Sequence, residues 1–338
     1  MQKRRRAEHD RLGLSVAAAA RKYGIPRTTY RRWLAGEALP TAYNINPKEE
    51  DEMALTATRL TEEALEHWGL ATDPFAPPAG AAEVVAIPSQ EQAVRKIVRA
   101  GMTGGWMVLT GEVGAGKSIV VQLAQRRLEQ ERSIILARPE TVLSSTLAAG
   151  SLVRALLKAI SPEASYPPSL DRAVRRLVES LHGVRFDGAQ VVLLIDEAHV
   201  LTDAALLVLK RLHEVGEETR PLISIMLVGQ PSLARRLRSN WELREVGQRV
   251  VLHELPALTR SVRDYVRQRI AAAQKNGHTP DIFEESALKA IIKRCRTPLE
   301  VNNLAAIAMQ IGYEDGEQQK ISKELLGQIT AASERGIA

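Results

Sequence analysis

Residues 105–118, Gly-Trp-Met-Val-Leu-Thr-Gly-Glu-Val-Gly-Ala-Gly-Lys-Ser, constrain this chain more than any other stretch. A short apolar run, Trp106 to Leu109, enters Gly111-x-x-x-x-Gly116-Lys117-Ser118, and a helix-compatible segment follows. Strand, glycine-rich loop and helix in that order form the context in which the motif carries meaning. Glycines let backbone N–H groups close around phosphate oxygens, and a helix N-terminus adds a favourable dipole. The predicted cradle runs through Gly111, Glu112, Val113, Gly114, Ala115, Gly116, Lys117, Ser118 and Ile119. Lys117 can neutralise charge on the β- and γ-phosphates, and the Ser118 hydroxyl can ligate Mg²⁺. ATP with Mg²⁺ is the expected ligand pair.

Such a site needs an acid on a second strand, and often another to activate water. Residues 191–199 read Val-Val-Leu-Leu-Ile-Asp-Glu-Ala-His. Five aliphatic residues in succession predict a strand buried on both faces, hence a parallel central sheet. Two acids directly after it fall at the carboxyl end, where open α/β sheets bind ligands. Asp196 is the candidate for the magnesium shell and Glu197 for polarising the attacking water. His199 reads as a helix-start or packing residue. A third strand, Leu222–Val228, ends in Gly229-Gln230-Pro231, and Gln230 is the candidate for reporting the γ-phosphate. Farther on, Arg244 and Arg249 each qualify as a finger reaching a neighbouring subunit's nucleotide.

Cys295 is the one cysteine, so an internal disulfide is excluded and a reducing, cytoplasmic setting is expected. No apolar run approaches the ~18 residues of a membrane span, so no membrane partner is expected. Charge is unevenly placed. Residues 1–36 hold ten Lys/Arg against Glu8 and Asp10, whereas residues 37–75 hold nine acids against Lys48 and Arg59. The basic block has helical form: Ser15 can cap a helix through Tyr23, Gly24 turns, and a second helix spans roughly Arg27 to Leu34. Tyr30, Trp33 and Leu34 share one face. Arg27, Thr28, Arg31 and Arg32 then face outward, where the recognition helix of a helix-turn-helix meets double-stranded DNA.

The predicted organisation is a basic helix-turn-helix domain over 1–40, an acidic linker over 41–72, an α/β nucleotide-binding core over 73–256 and a helical lid over 257–338. Asp73-Pro-Phe-Ala-Pro-Pro marks the expected boundary, and Ser89 to Gln92 an expected capping box. The core alternates strands at 106–110, 133–137, 190–195, 222–228 and 250–255 with helices at 117–130, 145–160, 171–182 and 203–214. That alternation predicts a doubly wound parallel sheet. Helical periodicity continues near 261–275, 284–295, 299–312 and 321–333.

With these pieces placed, the chain resembles the AAA+ ATPases of DNA transposition, the family of the phage Mu B protein, TnsC and TniB, with their relative ExeA. The resemblance is carried by Gly69-Leu-Ala-Thr-Asp-Pro-Phe75, Leu109–Ser118, Leu194-Ile-Asp-Glu-Ala-His199, Val228-Gly-Gln-Pro231 and Leu243-Arg-Glu-Val-Gly-Gln-Arg249, and covers about residues 65–310. It implies an ATPase that forms a ring or helical filament of identical subunits on target DNA. It further implies recruitment of a transposase or integrase and release upon hydrolysis. One departure stands out. The family's lid often carries Gly-x-Pro-Arg, whose arginine senses nucleotide; here the stretch is Arg296-Thr-Pro-Leu299, with Arg296 as the candidate substitute. An ATP-switched transcription regulator, a helicase loader or replication initiator, and a secretion ATPase like ExeA are the competing readings.

Overall fold

Every second residue of the central strands packs on one side of a sheet and the alternate residues on the other. In β1 (Trp106–Thr110), Trp106 and Val108 join one core while Met107 and Leu109 join its opposite. The same split divides Val191, Leu193 and Ile195 from Val192 and Leu194 in β3 (Gln190–Ile195), and Ile225 and Leu227 from Met226 and Val228 in β4 (Ile223–Gly229). Period-two side chains that are apolar throughout must be covered on both faces, giving three layers. The computed structural model describes residues 59–77, 86–139, 149–163, 165–217, 220–258, 261–275, 277, 280–316 and 320–334. The expected helix-turn-helix over 1–40, with Arg27, Thr28, Arg31 and Arg32, and linker residues 41–58 lie outside them. The described residues up to Gln328 fall in one compact unit.

With β2 (Ile134–Ala137) and β5 (Val251–Glu254), the sheet has five parallel strands in the order β2-β3-β4-β1-β5. The expected parallel α/β sheet is therefore present. Register brings three carboxyl ends together: Thr110 pairs with Gly229, and Ile195 with Leu227. On one face lie α2 (Pro88–Met102) and α3 (Lys117–Glu129); on the other, α4 (Ala149–Ile160), α5 (Leu170–Phe186), α6 (Asp203–Glu214) and α7 (Pro231–Ser239). Ser224, fully buried on the α2 face, donates to the Gly101 carbonyl at 2.6 Å. That bond satisfies the hydroxyl where a strand of aliphatic residues would leave it orphaned.

Most elements fall within a few residues of expectation. The helix at α7, a short helix α8 (Arg244–Arg249) and a two-residue antiparallel pair, Gly216–Glu217 with Arg220–Pro221, were not anticipated. The capping box also shifts. Pro88 takes the first helical position, where a missing N–H is costless. Gln90, not Gln92, sits three residues into the helix and accepts from the Ile87 N–H at 3.1 Å.

The lid contains α9 (Val262–Ala272), α10 (Glu285–Arg294), α11 (Pro298–Glu314) and α12 (Lys323–Glu334). Residues 59–72, expected in a solvated linker, are folded against it. α1 (Glu62–His67) buries Ala64, and Leu60, Trp68 and Leu70 are buried beside it. The Trp68 indole donates to the Met309 carbonyl at 3.0 Å, the Gln310 side chain accepts from the Thr61 N–H, and Ala71 N–H reaches the Ala273 carbonyl at 2.7 Å. Nor does Asp73-Pro-Phe75 separate two domains. Arg269 of α9, itself buried, donates to the carbonyls of Pro74 (2.5 Å) and Ala76 (2.7 Å). Among the described residues no helix is long and apolar enough to cross a membrane.

Candidate active site

The phosphate loop is built by backbone conformations that only glycine adopts easily. Gly114 and Gly116 have φ of +77° and +88°. Space is as restrictive as torsion: a Cβ on Gly116 would lie 2.0 Å from the Gln90 amide nitrogen, and one on Gly114 2.5 Å from Leu299 Cβ. Gln90 braces the loop, its amide donating to the Ala115 carbonyl at 3.2 Å. The first turn of α3 carries no acid, and Gly116 provides no side-chain cap. The N–H groups of that turn are thus left for an anion, and the dipole favours one. Lys117 is buried, its ammonium donating to the carbonyls of Gly111 (2.9 Å) and Glu112 (3.0 Å). Glycine conformation, free helix N-terminus and enclosed ammonium fit a polyphosphate.

A cleft of about 650 Å³ opens over this loop. It gathers Val113, Gly114, Gly116, Lys117, Ser118 and Ile119 from the loop, Glu197 from the end of β3 and Gln230 from the end of β4. Because β4 lies between β1 and β3, Gln230 stands between the phosphate loop and the acid pair. It starts α7 without a side-chain capping bond. Gly111, Glu112 and Ala115 support the loop from outside the cleft lining, and Asp196 also stands just outside it, its carboxylate accepting from the Glu197 N–H at 2.9 Å. Glu197 is the one non-glycine described at positive φ, +52°, a conformation that stores strain and recurs at functional sites. Its carboxylate is about half exposed and 3.3 Å from His199 Nδ1. His199, read as packing, is therefore a direct neighbour of the candidate base.

Among the described residues no group of three or more acids, histidines or cysteines could cage a metal. One carboxylate and one hydroxyl completed by substrate phosphates suits Mg²⁺, which rarely uses an all-protein cage. Ser118 lines the cleft, whereas Asp196 stands outside its lining.

The lid's contribution differs from expectation. Leu299 N–H donates to the Gly114 carbonyl at 3.3 Å, so the lid touches the loop through backbone and aliphatic carbon. Arg296 is exposed, does not line the cleft and pairs its N–H with Glu300; as a substitute sensor it is misplaced. Residues the sequence did not flag as site residues also line the wall, among them Arg59, Phe75, Gln90, Tyr265, Arg269 and Asn302. Tyr265 donates to the Asn302 side chain at 2.8 Å, and burial raises its phenol above the ordinary tyrosine range. Arg244 and Arg249 lie elsewhere, on α8. Both are exposed; Arg249 is paired with Glu214 at 2.6 Å.

Residues 99–237 match the family model described as an AAA domain. Over those residues the chain is similar to an AAA domain. General secretion pathway protein A of Aeromonas hydrophila is 31% identical over 194 residues, 56% of this chain and 33% of that protein. The chain thus spans about one third of that curated relative's length. Among solved structures, the ORC2 protein of Aeropyrum pernix, in ADPNP–ADP complexes, aligns with a TM-score of 0.50 at 16% identity, covering 79% of this chain and 73% of that one. Cdc6p of Pyrobaculum aerophilum gives 0.52 at 17% identity, covering 75% and 68%. Both likenesses are of fold. The matched AAA domain contains the phosphate loop, the acid pair and Gln230, and nucleotide hydrolysis is in general what such a domain performs.

Proposed function

We propose that the chain is an ATP-hydrolysing switch that assembles with copies of itself on duplex DNA, as an adaptor that marks target DNA and recruits a transposase. The observation that carries the switch is the single cleft in which Lys117, Ser118, Glu197 and Gln230 meet the lid's Tyr265 and Asn302. A group reporting nucleotide state and the lid then share one ligand. In the proposed reaction, the Glu197 carboxylate takes a proton from water as the water oxygen attacks the γ-phosphorus. The bond from γ-phosphorus to the β–γ bridging oxygen breaks, leaving ADP and phosphate. Lys117 and the α3 N-terminus hold the β- and γ-oxygens, and Gln230 contacts the γ-phosphate. Mg²⁺, held by Ser118 and Asp196, would neutralise charge on the phosphates. The transposition role rests on the segments from Gly69 to Phe75 and from Leu243 to Arg249 that resemble that family, together with the basic block at residues 1–36.

A second reading, an ATPase of a secretion pathway, is favoured by the 31% identity to the Aeromonas protein. A replication-initiator role is compatible with the fold. Sedimentation with and without random-sequence duplex separates the DNA readings from the secretion reading: ATP-dependent assembly that duplex promotes supports the former, and assembly indifferent to duplex favours the latter. Within that assay, Lys117→Ala is expected to lose nucleotide binding and assembly together. Glu197→Gln should keep both while phosphate release drops by about 10²- to 10⁴-fold. Near-normal turnover by the glutamine variant would remove Glu197 from its role.

A further inference from the structure

A second, larger depression lies away from the nucleotide, along the sheet's edge strand β2, with a volume of about 1010 Å³. An adjoining cleft of about 530 Å³ follows the start of α5, and the two share Tyr166. Among the described residues their walls carry six cations, Arg138, Arg154, Lys158, Arg172, Arg175 and Arg176, against the carboxylates Glu129 and Glu179. All six are exposed. Among the described residues none pairs with a carboxylate; three are instead held by neutral groups. The Arg154 guanidinium lies 4.4 Å over the Tyr166 ring, Arg176 donates to the Ser165 carbonyl at 3.1 Å, and Arg138 donates to the Gln125 side chain. Neutral acceptors fix these arginines in place without cancelling their charge.

We propose that this groove holds the sugar–phosphate backbone of duplex DNA. The proposal rests on the DNA-binding reading above and gives it a surface on the AAA domain. Cations spread along two helices, Arg154 and Lys158 one turn apart on α4 and Arg172 and Arg176 one turn apart on α5, match an extended polyanion better than a small phosphate. Binders of single strands stack bases on free aromatic faces. Among the described residues the only lining aromatic, Tyr166, is half-buried with Arg154 over its ring, so contact falls to the backbone.

The test uses the full chain with ATP and a fluorescent random-sequence 30-base-pair duplex, read by anisotropy across a salt series. Lys158, Arg172 and Arg175 are changed together to Gln, sparing the arginines that hold local structure. An equal neutralisation of exposed lid residues, Lys289, Lys293 and Lys323 to Gln, serves as control. The groove variant should bind at least about tenfold more weakly, and its log–log salt slope should fall by about 0.9 per lost contact, up to about 2.7. Its ATP hydrolysis without DNA should match the parent. Parental affinity and slope in the groove variant, an equal loss in the lid control, or tighter binding of single strand or polyglutamate than of duplex would each overturn the groove. Failure of the parent chain itself to hold duplex at low salt would overturn the DNA reading and the groove with it.

Discussion

At the scale of single residues, the phosphate loop depends on what Gly116 lacks. Its φ of +88° already costs a residue with a Cβ about 1–2 kcal/mol, and that Cβ would meet the Gln90 amide. Gln90 cannot simply withdraw, because its two hydrogen bonds join the start of α2 to the loop. Gly116→Ala should therefore fold, since the sheet and both cores are untouched, yet bind nucleotide about tenfold or more weakly. Titration calorimetry with ATP, alongside a circular dichroism melt, separates the two effects; undiminished affinity would show that the loop tolerates the added methyl. The motif was legible because its parts are contiguous and each has a local reason. Gln90 was not. Its role needs the Ala115 carbonyl, 25 positions away, and nothing in the run Ser89–Gln92 tells which glutamine faces inward. Leu299 follows the same logic: its type excluded a lid sensor, but only the fold shows it pressed on Gly114.

At the scale of elements, periodicity located the strands and most helices because apolar spacing is a local signal. What the residues from 59 to 77 do was hidden. Their acidic composition resembles a tether, and the contacts that contradict it join positions such as Arg269 and Pro74, 195 apart. Arg269 is a buried cation with two carbonyl partners, so Arg269→Ala leaves both acceptors unsatisfied and frees the Phe75 segment from the lid. A loss of about 3 kcal/mol is expected by urea denaturation, with faster proteolysis near residue 77. Retention of parental stability would mean the segment is held by Phe75 and Trp68 alone. A second element junction is sensitive to acid. His213, at the end of α6, contacts the Gly104 carbonyl at 3.0 Å and lies 5.5 Å from the Trp106 ring. Burial holds its imidazole below the ordinary value of 6.5. The unfolded chain therefore takes up this proton first, so the contribution is intact above pH 6.5 and lost as pH falls through the depressed value. Melting temperature should drop over that window, and His213→Gln should flatten the drop.

At the scale of the whole molecule, the cleft is walled by loop and lid but contains no arginine aimed at the γ-phosphate from α8. Arg244 and Arg249 differ in what they would give up to serve a neighbour. Arg249 is engaged by Glu214, which Lys210 also approaches at 3.7 Å, so recruiting it means breaking a network. Arg244 is exposed, one turn after Trp241, which is itself 80% exposed. Tryptophan and arginine together on an open surface are the residue types that dominate interface energies. Arg244 is therefore the candidate that would complete the adjacent subunit's site in an assembly, a role that predicts complementation. Arg244→Ala alone should lose about 10³-fold or more in turnover while still binding ATP. Glu197→Gln alone should be inactive for the separate reason that its own site lacks the base. In a mixture, an intact Arg244 from the glutamine variant can face the intact Glu197 of the alanine variant, so phosphate release should rise well above the sum of the two parts. A mixture no more active than its components, in which assembly by sedimentation is nonetheless intact, would place the missing positive charge within the subunit.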